Sequence, residues 1–147
     1  MRLILDTHVW LDCLVFKDAR HRSLMDWLCA GPQAPTVLAT DAMLDEFARV
    51  IRRPRFLLGP DEVDRLSAVQ RAQVRVLPAA PDCRLPCTDP DDQCFIDLAV
   101  AHQVDALLSR DKALLRLARH ARRRFGVQVM TPEAFMDAQA RPTTACL

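Results

Sequence analysis

The chain has 147 residues, half of them hydrophobic and 27% charged, with a formal net charge of +1. This length and composition fit one soluble globular domain with a proper core, and the near-zero net charge argues against bulk electrostatic binding of polyanions. No segment reaches transmembrane length, and Asp6 and Asp12 break the N-terminal apolar run too early for a signal peptide, so a cytoplasmic protein is expected.

The distribution of charge says more than its sum. Arg49, Arg52, Arg53 and Arg55 form one group, and Arg116, Arg119, Arg122, Arg123 and Arg124, with Lys112, form a second that no acid interrupts. Each group is either a solvated helix face or a surface for phosphate, which the planar guanidinium fork suits. The six cysteines include no Cys-x-x-Cys pair. Without such a short spacing, Cys83, Cys87 and Cys94 make a poor zinc set, and reduced thiols are the better reading.

In chain order, Arg2 to Leu5 reads as a short buried parallel strand ending at Asp6. Helices are expected from about His8 to Phe16 and from Arg20 to Cys29, the second stopped by Gly31-Pro32. Thr36 to Ala39 is the next strand, and Thr40 or Asp41 can cap the helix that follows, over Ala42 to Arg53. In that helix Met43, Phe47, Val50 and Ile51 define a buried stripe, and Glu46 shares it, whereas Asp45 falls on the solvent side with Arg49 and Arg52. A carboxylate facing a core must be paired or bind a cation. Two readings of Glu46 therefore stay open, an ion pair with a nearby arginine and a ligand.

Pro60-Asp61-Glu62 opens a helix to about Ala72, followed by a strand over Val74 to Leu77. Pro78, Pro81, Pro86 and Pro90 stiffen the next loop, which leads into an acidic run of Asp89, Asp91 and Asp92. The helix from Asp92 to Gln103 carries Phe95, Ile96 and Ala99 at inward spacing from Asp92. Asp92 thus sits where the helix dipole favours an anion, while Asp89 and Asp91 are less committed and can simply cap the helix. A fourth strand ends at Ser109, just before Asp111. An amphipathic helix is expected over Lys112 to Arg124, a fifth strand over Val127 to Met130, and a last short helix from Thr131-Pro132-Glu133.

Strands alternating with helices imply a parallel α/β sheet with right-handed crossovers, whose ligands sit at the carboxyl ends of strands where strand order reverses. Asp6 and Asp111 both follow such ends. No Gly-rich phosphate loop and no Gly-x-Ser-x-Gly elbow is present. If Asp6, Glu46, Asp92 and Asp111 converge, they repel unless a cation neutralises them. An all-oxygen set selects Mg²⁺ or Mn²⁺, which supports phosphodiester hydrolysis by acidifying water and stabilising the leaving oxygen.

Four segments in order resemble the PIN-domain family, close to the VapC-like toxin components of bacterial toxin–antitoxin pairs. Leu5-Asp6-Thr7-His8 is similar to the family's opening Asp-Thr-Asn or Asp-Thr-His. TDAMLDEFARVIRRPRF resembles its glutamate helix, DPDDQCFIDLAVA its third motif, and Leu108-Ser109-Arg110-Asp111 its fourth. MTPEAF resembles its last strand and helix. The resemblance implies a PIN domain over residues 1–137, with 138–147 a flexible tail, and a three-layer α/β/α fold with strand order 3-2-1-4-5. It implies Asp6, Glu46, Asp92 and Asp111 as catalytic and Mg²⁺- or Mn²⁺-binding acids, helped by Thr7, His8 and Ser109. Arg49, Arg52, Arg53, Arg116, Arg119, Arg122 and Arg123 would then hold RNA. The function implied is an endoribonuclease toxin with a cognate antitoxin and self-association as a homodimer or higher oligomer. Two alternatives stay open: a PIN fold that binds RNA or protein without turnover, and a nuclease of RNA processing or of DNA.

Overall fold

A computed structural model describes residues 1–141. Five short strands, β1 (Arg2–Leu5), β2 (Thr36–Ala39), β3 (Val74–Val76), β4 (Ala106–Leu108) and β5 (Gln128–Met130), form one parallel sheet in the order β3-β2-β1-β4-β5. The strand order is the one the family resemblance implies. Between the strands run α1 (Thr7–Leu14) and α2 (Ala19–Leu28), α3 (Asp41–Ile51) and α4 (Pro60–Ala72), then α5 (Gln93–Ala101) and the pair α6 (Lys112–Leu115) and α7 (Ala118–Phe125). The last helix, α8 (Pro132–Ala140), runs beyond the domain end expected at 137, and residues 142–147 of the expected tail lie outside the described residues.

Side chains alternate across a strand, and here that period sorts the core into two layers. Leu3 and Leu5 of β1, with Leu108 of β4, pack with Trp10, Leu24, Phe47, Ile51, Leu66 and Phe135 on the face covered by α1 to α4 and α8. Ile4 and Leu107 point the other way, into Phe95, Leu98, Leu114, Ala121 and Val129 under α5 to α7. Burial on both faces explains why β1 and β4 read as unbroken apolar runs.

Most expected elements sit within a residue or two of their expected ends. The helix expected over Lys112 to Arg124 is divided at Arg116-Leu117. The Leu117 N–H bonds the Leu114 carbonyl at 2.9 Å, an i to i−3 bond that tightens the turn and keeps Leu117 in the second core layer beside Leu114. The chain also reaches α5 through a 3₁₀ turn, Pro90–Asp92, which starts the helix one residue later than expected.

Strand order reverses between β1 and β4. They pair in register from Leu3 with Ala106 to Leu5 with Leu108, so their carboxyl ends open side by side. No helix among the described residues is long and apolar enough to cross a membrane.

Candidate active site

Asp6 leaves the end of β1 and caps α1, accepting the Val9 N–H at 2.9 Å through Oδ1. Its other oxygen accepts the Ser109 hydroxyl and, at 3.3 Å, the Arg110 N–H. Both donors come from the loop after β4. Burial pushes the Asp6 carboxyl above its ordinary pKa, while Ser109, Val9, His8 and Arg110 pull it back.

Ser109 is fully buried and works in two directions. As it donates to Asp6, its oxygen accepts the Asp111 N–H at 2.9 Å. Asp111 in turn caps α6 by accepting the Ala113 N–H at 2.7 Å. Beside them the Arg110 guanidinium donates to Asp12 at 2.7 Å and to Glu133, and lies 2.6 Å from Nε2 of the buried His21. One side chain thereby ties the β4 loop to α1, α2 and α8.

Glu46 is half-buried on α3 and accepts a 2.8 Å hydrogen bond from the Thr7 hydroxyl. No arginine pairs with it among the described residues, which removes the ion-pair reading. Cys94 stands close to both Glu46 and Asp92. Burial, then those two charges, pushes its thiol up to about 11.

Asp92 and Asp111 come together, and a third acid joins them. One carboxylate oxygen from each of Asp89, Asp92 and Asp111 lies within 4.8 Å of the others. Asp6 and Glu46 are outside this close set: Asp6 is linked to Asp111 through Ser109, and Glu46 is bonded to Thr7, the residue after Asp6. Asp92 carries the electrostatic cost: burial, then the charges of Asp111 and Asp89, pushes its carboxyl up to about 7. Among the described residues its Oδ2 is buried without a hydrogen-bond partner. A carboxylate with one buried oxygen left without a donor, grouped with two more hard-oxygen side chains, suits Mg²⁺ or Mn²⁺, so the donor set fits such an ion.

The sequence leaves Asp89 uncommitted, with a helix cap as its simplest role. It does cap the 3₁₀ turn, accepting the Asp91 N–H at 3.0 Å, but the same turn makes it part of the site. Asp89 precedes the turn in extended backbone and Asp92 closes it, so that a carboxylate oxygen of each comes within 4.8 Å of the other while Asp91 is exposed. The readable signal is Pro90 between the acids, which fixes the start of a tight turn.

Two grooves adjoin the acids. Glu46, Asp91 and Cys94 line one with Arg49 and Arg53; His8, Asp12, Arg110, Asp111 and Lys112 line the other. Arg119, Arg122 and Arg123 line a separate groove along β5. Arg49, Arg52, Arg53, Arg116, Arg119, Arg122 and Arg123 are all exposed, and none makes a salt bridge among the described residues. Cys83, Cys87 and Cys94 do not form a close set; Cys83 instead neighbours Asp82 and Asp97.

Taken together, the molecule is a parallel α/β domain with a carboxylate site at the reversal of its strand order. The chain belongs to the PIN-domain family: a family profile described as PIN domain matches residues 2–113, which span β1 to the start of α6 and hold Asp6, Glu46, Asp89, Asp92 and Asp111. PIN domains are generally metal-dependent nucleases. No curated protein matches the chain.

Proposed function

We propose that this protein is a Mg²⁺- or Mn²⁺-dependent endoribonuclease and the toxin of a type II toxin–antitoxin pair. The observation that carries the hydrolytic reading is the set Asp89, Asp92 and Asp111, with the Asp92 Oδ2 left without a donor among the described residues. These three would hold the ion, and Asp6 would border it from behind the Ser109 hydroxyl. When bound, the cation would supply charge stabilisation for the phosphodiester and acidify water.

The chain's own groups supply the rest. Thr7 orients the Glu46 carboxylate at the edge of the site, where it can accept a proton from water. Arg49 and Arg53 share its groove and offer guanidiniums that are unpaired among the described residues to a phosphate backbone, with Lys112 in the other groove. His8 is exposed beside Lys112, placed to contact substrate. The toxin role, a cognate antitoxin and self-association as a homodimer or larger oligomer rest on the motif resemblance to VapC-like toxins.

The test is cleavage of single-stranded RNA by purified protein with Mg²⁺ or Mn²⁺, loss of cleavage with EDTA, and growth arrest on expression without a partner. Asp92→Asn should remove both activities. It is a better probe than Asp6→Ala. Mutual repulsion alone suggests that deleting Asp6 relieves strain, but Asp6 accepts three hydrogen bonds and caps α1, so its loss is also structural. RNA binding without cleavage would make the protein a binding module. Cleavage without growth arrest would make it a processing nuclease, and equal cutting of DNA would defeat the RNA preference.

A further inference from the structure

Asp89 is held in place by very little of its own. Among the described residues its side chain accepts one hydrogen bond, from the Asp91 N–H, and no cation pairs with it, although Asp92 and Asp111 repel it. The loop that precedes it is held from α5. Gln93, on the first turn of α5, turns its side-chain amide back onto that loop. Its Oε1 accepts the Cys87 N–H at 2.8 Å, and its Nε2 donates to the Leu85 carbonyl at 3.1 Å and to Asp97 Oδ1 at 3.0 Å. Asp97, one turn further along α5 and buried, also accepts the Cys83 N–H at 3.0 Å. Two side chains of one helix thus hold three backbone groups of residues 83–87, and Leu85 is buried between them in the second core layer. Only Thr88 separates this clamp from Asp89.

We infer that Gln93, supported by Asp97, is a positioning residue that holds Asp89 against the repulsion of Asp92 and Asp111 and so completes the divalent-cation site. The inference rests on the metal-dependent reading above. Partners of this kind, which touch a ligand's support and not the ion, typically change metal affinity by about 10- to 100-fold.

The test is Mn²⁺ affinity by isothermal titration calorimetry for wild type, Gln93→Met, Asp89→Asn and the double variant, with heat unfolding of each metal-free protein. Gln93→Met keeps the bulk of the side chain and removes both ends of the clamp. Each single variant should bind Mn²⁺ at least tenfold more weakly, and Gln93→Met should weaken binding by less than twofold once Asp89 is already Asn, because Gln93 acts through Asp89. A merely structural glutamine would lower the unfolding temperature equally in both backgrounds and leave affinity alone. Should Gln93→Met fail to fold, Gln93→Glu carries the test: it keeps an acceptor for Cys87, loses the donor to Leu85 and repels Asp97. Unchanged affinity in the folded Gln93 variant, or an equal further loss on top of Asp89→Asn, overturns the inference and leaves the proposed nuclease site standing. A wild-type protein that binds no Mn²⁺ overturns both.

Discussion

The Ser109 hydroxyl donates to Asp6, which joins the loop after β4 to the end of β1 across the point where strand order reverses. Ser109 has no exposed surface, and Asp6 is nearly as buried. Ser109→Ala would leave Asp6 Oδ2 with only the long Arg110 contact and remove the acceptor of the Asp111 N–H. Loss of about 1 to 3 kcal/mol of stability is expected in urea unfolding, the usual cost of stranding a buried polar group. Because the hydroxyl also lowers the Asp6 pKa, the variant's activity should shift to higher pH. An activity profile that stays in place while stability falls would limit Ser109 to packing.

Asp92 predicts a second pH dependence, in the metal-free protein. Its folded pKa, about 7, lies above the ordinary 3.8, so between these values the native state holds a proton that the unfolded chain has released. Native stability from this group is therefore fully present below about pH 4 and is lost as pH rises through 7. Asp92→Asn should flatten that slope over pH 4 to 7 in unfolding midpoints measured with EDTA. In wild type the slope should also shrink when Mn²⁺ is added, since the cation competes with the proton. A wild-type stability that does not fall across this window contradicts the strained trio of acids.

The parts of this structure legible in the sequence are those set by local pattern. Buried parallel strands read as apolar runs, and helix starts carried Asp or Thr caps or an N-terminal proline, so the ends of β1 and β4, and with them Asp6 and Asp111, could be placed before any coordinates. Glu46 could be put on the inward stripe of α3, but its partner Thr7 lies 39 residues away, and no local rule connects them. Asp89 was hidden by a plausible smaller role. As a helix cap it needed no further explanation, and only the turn over Pro90–Asp92 brings its carboxylate back toward Asp92. Gln93 and Arg110 were hidden for another reason. Each reads as an ordinary polar residue at its own position, and its meaning lies in backbone or side-chain groups brought to it by the loops.

The Thr7–Glu46 bond gives a third expectation. Thr7→Val keeps the shape of the side chain and removes the donor. Because Glu46 is half-buried and can turn to water, stability should fall by only about 1 kcal/mol. Turnover should fall more steeply, by about tenfold, through the disordered carboxylate, with KM for RNA nearly unchanged. Single-turnover cleavage with saturating enzyme reads this directly. A rise in KM with an unchanged rate would assign Thr7 to substrate binding.

The two arginine groups should separate in their response to salt. Arg49 and Arg53 share a groove with Glu46, whereas Arg122 and Arg123 line a groove along the edge strand β5. A single-stranded substrate lying across the acids must pass the first groove, and it need not reach the second. Each phosphate contact with a single strand contributes about 0.7 to the slope of log affinity against log salt, so losing two should flatten it by about 1.4. That change is expected for Arg49→Ala with Arg53→Ala, measured on a short RNA with the inactive Asp92→Asn protein to prevent cleavage. Arg122→Ala with Arg123→Ala should leave the slope of a short RNA in place and alter it only for one long enough to reach β5. Equal flattening by both pairs on the short RNA would place the substrate along α7 and overturn the path across Glu46.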